Sequence, residues 1–222
     1  MLKRNYWQNK LKTISNSLVK RKEFKKDSFN INAEIEFNIM SGFFIIRKLN
    51  ESKKLTNKFL STNIKGHKYP FIVGNNITPF NDHKWPEFYD FKDKKKAKFD
   101  IPFLCNLFIH SFYFIPSEVF VEESINDKIE IATDEEYYAL CKIHKRKYQG
   151  LLFNSDGTKE DFLYELDIDQ IIKIFQEVSI MDITKSSITY DKNRDKYIYL
   201  QSDNKQEISQ EVKELIAANE KL

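Results

Sequence analysis

Cysteine, glycine and proline are scarce in this 222-residue chain, and each scarcity removes a class of protein. The two cysteines, Cys105 and Cys141, lie in no CxxC and in no Cys/His cluster. That excludes a disulfide-stapled scaffold and favours reduced thiols in a cytosol. Five glycines and five prolines exclude collagen-like and linker compositions. There is no GxxxxGK[ST] or GxGxxG loop, so nucleotide hydrolysis on a phosphate loop is not expected. There is no GxSxG nucleophile turn either. The four histidines, His67, His83, His110 and His144, have no partners at metal-ligand spacing. Neither a metal nor another cofactor is therefore expected. The first 22 residues lack the apolar core of a signal peptide. The longest apolar run, 101–115, is shorter than the roughly 20 residues that span a membrane. It also carries Asn106 and His110. No membrane association is expected, and the location expected is the cytoplasm.

What is present is a core. Apolar residues make up 41% of the chain and 19 are Phe, a composition that no disordered chain shows. The length suits one domain, or one domain with small appendages. Net charge is only +3, but it is unevenly placed. Residues 1–26 are rich in Lys and Arg, with Glu23 the only acid. A second basic run occupies 92–98, and 118–136 is acidic. Within the arm, Lys3, Arg4, Lys10, Lys12, Lys20, Arg21 and Lys22 are the candidates for neutralising phosphates. The alternatives are a solvated helix face, or docking on the acidic 118–136 segment.

Periodicity divides the chain. Tyr6, Trp7, Leu11, Ile14, Leu18 and Val19 recur at helical spacing, which predicts a basic amphipathic helix over 3–25. A second helix is expected over 31–51, capped by Asn30 or Asn32. Its middle, 39–46, is apolar on almost every side, so it should be buried. Gly42 in that stretch suggests close approach of a second backbone. A short helix is expected over 53–61. Residues 62–97 look irregular, with one strand candidate at 69–73. Asp100 should cap a second buried helix over 101–115, with Pro102 in its first turn and Pro116 ending it. Strands are expected at 118–123 and 128–131, with a helix over 134–145. A hairpin follows at 151–154 and 162–166, then a helix over 167–178. A second hairpin is expected at 187–190 and 196–200, and a polar helix at 209–222. The fold class is α+β: a helical N-terminal half, then β-hairpins plus helix in the C-terminal half. The segments read as 1–27 (basic helix), 28–116 (helical core), 117–208 (β-rich extension) and 209–222 (polar helix).

Asn106 and His110 are the nearest approach to chemistry. Four residues apart on a helix, they share a face. An amide and an imidazole buried together must be hydrogen-bonded or they cost stability, so the pair is either a polar knot or a site. Cys105 reads as an inert buried thiol, and Cys141 with His144 lacks an orienting carboxylate. The acid pairs Glu34/Glu36 and Glu135/Glu136 read as capping residues.

The segment LCNLFIHS (104–111) resembles the second-motif helix of HEPN-type RNases. That family has a four-helix core. Its motif is an arginine, a following polar residue, and a histidine four to six positions after the arginine. The pattern ExExxxxSGFFIIRKLxES (34–52) is similar to the family's first helix. The resemblance covers residues 30–115. It assigns Asn106 as the polar residue and His110 as the histidine, while Cys105 occupies the arginine's position. It therefore implies a degenerate, non-catalytic core in a soluble bacterial cytoplasmic protein that binds RNA or a protein partner. Two alternatives stand beside it. One is an active metal-independent RNase, with His110 transferring protons and Arg47 of the facing helix stabilising the phosphorane. The other is a pure interaction module.

Overall fold

The computed structural model describes residues 3–24, 29–74, 76–129, 132–191 and 194–203. A layer of helices covers one face of an antiparallel sheet. Helix α1 (Arg4–Arg21) buries Leu11 and Leu18, two turns apart on one side, and turns its basic positions outward. It ends four residues short of the expected limit. Helix α2 (Phe29–Glu51) buries Ile35, Ile39, Phe43, Ile46 and Leu49, a stripe with three-to-four spacing. Phe37 and Phe44 fall outside that stripe and are exposed, although their segment is apolar throughout. Asn32 does not cap α2 but lies inside it, and accepts a hydrogen bond from the Tyr148 hydroxyl. The neighbour that requires Gly42 is a ring, not a backbone. A Cβ there would lie 2.2 Å from Cζ of Phe175.

Helix α3 (Asn57–Leu60) is a single turn. Helix α4 (Ile101–Ile109) starts as expected, with Asp100 accepting from the Phe103 N–H at 2.7 Å and Pro102 in the first turn. It does not run to Pro116. Residues Ser111–Phe120 form a strand, because the aromatic and β-branched SFYFI stretch finds a partner strand to pair with. Pro116 sits within that strand opposite Leu151. The strand lies at the side of the sheet, where a missing N–H is tolerated.

The sheet comprises β1 (Glu23–Phe24), β2 (Ile64–Pro70), β3 (Lys95–Phe99), β4 (Ser111–Phe120), β5 (Arg146–Ser155) and β6 (Phe162–Asp167). Both β1 and β4 pair with β5, and the order continues β5-β6-β2-β3. Two of these strands, β2 and β3, come from the stretch that reads as irregular. Helix α5 (Glu123–Ile129) replaces the strand expected from 128, and α6 (Asp134–Ile143) matches expectation. Both close over the end of β4 around Phe120, Ile125 and Cys141. Helix α7 (Ile168–Ile180) is capped by Asp167 and presents Ile171, Ile174, Phe175 and Val178 to the core. The hairpin of β7 (Lys185–Asp191) and β8 (Lys196–Ser202) is a separate two-stranded sheet. The helix expected at 209–222 lies outside the described residues.

The protein is thus α+β, with helices leading and hairpins gathered in the C-terminal half. The 116/117 position falls inside β4, and among the described residues one apolar core runs from Leu11 to Val178. Among the described residues, no helix is long and apolar enough to cross a membrane.

Strand alternation then sorts the side chains. One sheet face carries Phe99, Leu151, Phe153, Tyr164 and Leu166 against the helices. The other face is covered at one end by the 71–93 segment, through Tyr69, Phe88, Tyr89, Tyr113 and Leu163. Among the described residues, a cleft opens on the part of that face formed by β2, β3 and β6.

Candidate nucleic-acid interface

The residues expected to carry chemistry do not form one site. Asn106 and His110 are exposed, not buried. Helix α4 buries Ile101, Leu104, Cys105, Leu107 and Phe108, which leaves positions 106 and 110 on the opposite side. Both side chains face solvent there and form no buried polar knot. His110 ends the helix, its backbone N–H donating to the Asn106 carbonyl. Arg47 lies on α2, with Nε donating to Glu51 at 3.0 Å. Its charge is felt by Cys105. Burial pushes that thiol up to about 12, and Arg47 opposes the rise. Cys105 is therefore inert as a nucleophile at neutral pH.

The basic arm is only partly available. Arg4 pairs with Asp182, Arg21 with Glu34 at 2.5 Å, and Lys22 with Asp169 at 2.5 Å. Among the described residues, these ion-pair partners lie on α2, at the start of α7 and just beyond its end, and Lys22 also shares a hollow with Glu123 of the acidic 118–136 segment. Lys10, Lys12 and Lys20 remain exposed on α1, as does Lys3 just before it.

The open sheet face holds a different constellation. A cleft of about 710 Å³ is lined by Lys65, His67, Lys94, Lys96, Lys98, Glu165, Asp167 and Gln170. Strand register builds it. Lys96 of β3 lies opposite His67 of β2, which lies opposite Glu165 of β6. In the next row, Lys98 lies opposite Lys65. Gly66, between Lys65 and His67, lets β6 approach, since a Cβ there would sit 2.5 Å from the Glu165 backbone oxygen. Gln170 Nε2 donates to the Lys65 carbonyl at 2.9 Å and ties α7 to β2.

Glu165 is the centre of the cluster. Its Oε2 accepts from the Tyr69 hydroxyl at 2.7 Å and from Lys94 Nζ at 2.7 Å. His67 Nδ1 lies 3.6 Å from the same oxygen. Burial pushes the Glu165 carboxyl up, but the hydrogen bonds from Lys94 and Tyr69 and the charges of Lys94 and His67 outweigh it. The result is lowered below the usual carboxylate value. Burial alone would push the Lys94 ammonium down, and its bonds to Glu165 and Tyr69 reverse this, so it is raised. Both groups are charged at neutral pH. Four lysines against two carboxylates leave the cleft with an excess of positive charge.

These shifts give a pH test. Because the folded carboxyl binds its proton more weakly than the unfolded one, Glu165 contributes stability that is complete above the unfolded value. That stability is lost as pH falls through the lower folded value. Glu165→Gln should therefore flatten the fall in Tm between about pH 5 and about pH 3. Circular-dichroism melts across that range measure it, and a slope equal to wild type would show that the cluster adds no stability.

Two features extend the cleft. At one rim Phe91 is 39% exposed and packs on Tyr69 at 4.8 Å and Trp85 at 6.0 Å between ring centres. At the other end a second hollow of about 370 Å³ shares Gln149 and Asp167 with the first, but Glu123, Asp167 and Asp169 line it as well as Lys22 and Lys147, so it carries no excess of positive charge. Of the seven basic residues named in the arm, only Lys22 lines either hollow.

Sequence reasoning flagged the basic run at 92–98 but not its alternation. Lys94, Lys96 and Lys98 face the cleft, while Ala97 and Phe99 face the core. His67 and Glu165 had no local signal, because strand pairing alone joins β2 to β6. Comparison with protein-family models, with curated proteins and with solved structures finds no match to this chain. Among the described residues, no three His, Cys, Asp or Glu side chains come together as a metal site.

Proposed function

We propose that this protein binds single-stranded RNA on the open face of its sheet. The observation that carries the reading is the row Lys96–His67–Glu165 with Lys65, Lys94 and Lys98 around it. Lysine on an edge strand such as β3 also guards against edge-to-edge pairing. Here Lys65 and His67 come from an interior strand, which edge protection does not require. Alternate lysines along β3 stand about 6.8 Å apart, so they meet a run of phosphates and not one ion. The Phe91 rim supplies a ring for base stacking, worth about 1–3 kcal/mol per base in single-strand binders. The unpaired, buried thiols of Cys105 and Cys141 support a cytoplasmic setting.

Fluorescence anisotropy with a labelled RNA oligonucleotide tests this. Binding should weaken steeply with salt, with a log–log slope near −0.7 per phosphate neutralised. Lys96→Glu with Lys98→Glu should lower affinity by roughly tenfold or more and flatten that slope. Wild-type protein that does not bind, or a double variant that binds like wild type, would sink the proposal.

A second reading places the site on α4, as the HEPN-like resemblance suggests. It is favoured by one observation: Asn106 and His110 are both exposed at the C-terminal end of α4.

A further inference from the structure

We propose that the cleft also cleaves the RNA it binds, without a metal, with Glu165 and His67 as the proton-transfer pair; this rests on the binding reading above. The geometry separates two working ends. The hydrogen bond and both ion pairs of Glu165 converge on Oε2, and Oε1 has no hydrogen-bond or ion-pair partner among the described residues. His67 directs Nδ1 toward Glu165, which leaves Nε2 for a second partner. The two residues are direct cross-strand neighbours on one face, the closest lateral pairing a sheet allows. Lys94 lies 2.7 Å from Glu165 and Lys96 lies opposite His67, so two cations reach the pair from the β3 side.

The carboxylate itself is the informative feature. A negative group at the centre of a phosphate-binding cleft repels its ligand. A surface that only held phosphates would bind better without it. Anchoring Lys94 and Tyr69 is one use for Glu165. Accepting a proton from bound RNA is another, and only the second needs His67 beside it.

The chemistry balances with these groups alone. Glu165 Oε1 takes the proton of a ribose 2′-hydroxyl, and the 2′-oxygen forms a bond to the adjacent phosphorus. The P–O5′ bond breaks, and the leaving 5′-oxygen takes a proton from the His67 imidazolium. Lys94 and Lys96 offset the charge on the non-bridging oxygens. The products are a 2′,3′-cyclic phosphate and a 5′-hydroxyl. DNA, which lacks the nucleophile, should bind without being cut.

The test uses the full chain in EDTA with two labelled strands of one sequence, an RNA and its 2′-O-methyl analogue. Binding is read on the analogue and cleavage on the RNA. Wild type should bind both and cut only the RNA, leaving cyclic-phosphate ends. Measured at saturating protein, His67→Ala and Glu165→Gln should each slow cleavage by about a hundredfold or more, and Glu165→Gln, which removes the charge that repels phosphate, should bind the analogue at least as tightly as wild type. Thermal melts of each variant confirm that it is folded, and His67→Ala, at a half-exposed position, is the variant least exposed to misfolding. Binding of both strands without cleavage overturns this inference and leaves the binding reading standing. Binding of neither overturns both. Cleavage that survives in His67→Ala but disappears in His110→Ala assigns the activity to α4 and overturns the inference as well.

Discussion

Phe43→Ala is expected to lower stability by about 3–5 kcal/mol, while Phe44→Ala, one residue away, should cost less than about 1 kcal/mol. The two side chains look alike in sequence, and the fold separates them. Phe43 is fully buried, stacked on Phe108 at 4.3 Å and set edge-on to Phe175 at 5.2 Å between ring centres. It links α2, α4 and α7. Removing it leaves a cavity that three helices cannot all collapse to fill, which is why the cost exceeds the transfer energy of the ring. Phe44 is 44% exposed and lines a shallow apolar hollow with Trp7, Met40 and Ile109. Water reaches its site in the wild type, so truncation removes little. In a chain of this length the Phe43 variant should melt roughly 10 °C or more below wild type. Urea unfolding of both variants measures the contrast, and equal losses would mean that α2 is turned about its axis from the orientation described.

Deleting residues 1–24 should abolish cooperative folding altogether. The sequence of this arm suggests a detachable basic helix, but its packing does not. Leu11 and Leu18 are wholly buried among α2 and α7, each worth about 1.5–3 kcal/mol of burial. Gln8 Nε2 donates to the carbonyls of Val178 at 3.0 Å and Met181 at 2.5 Å and closes the end of α7. Deletion uncovers the apolar side of α7 and strands those carbonyls. The sum approaches the whole net stability of a domain, about 5–15 kcal/mol. A truncated protein should show no sharp thermal transition and should bind hydrophobic dyes. A cooperative melt near the wild-type Tm would show that α1 is an appendage. Nucleic-acid binding by the arm is therefore better tested by reversing exposed Lys10 and Lys12, which leaves the helix in place.

What the sequence by itself determined is local. Helical periodicity marks α1, α2 and α7, and the cap at Asp100 is legible because a capping carboxylate acts within three residues. The hairpin of β5 and β6 shows in its alternation and its SDGT turn, and β7 with β8 shows in the same way. These signals depend on neighbours a few residues apart, which is the range over which a sequence can be read directly. Tertiary structure decided the rest. Residues 111–116 suit a helix or a strand by composition, and pairing with β5 chose the strand. Asn106 and His110 share a face, as their spacing requires, but only packing against α2 and β5 could say that the face points to water. The candidate site lies wholly in this second category. His67 and Glu165 are far apart in the chain and carry no mutual signal. They meet because β6 returns to pair with β2, placing Lys96, His67 and Glu165 side by side on one row, and because the 71–93 segment covers only part of that face and leaves the row open.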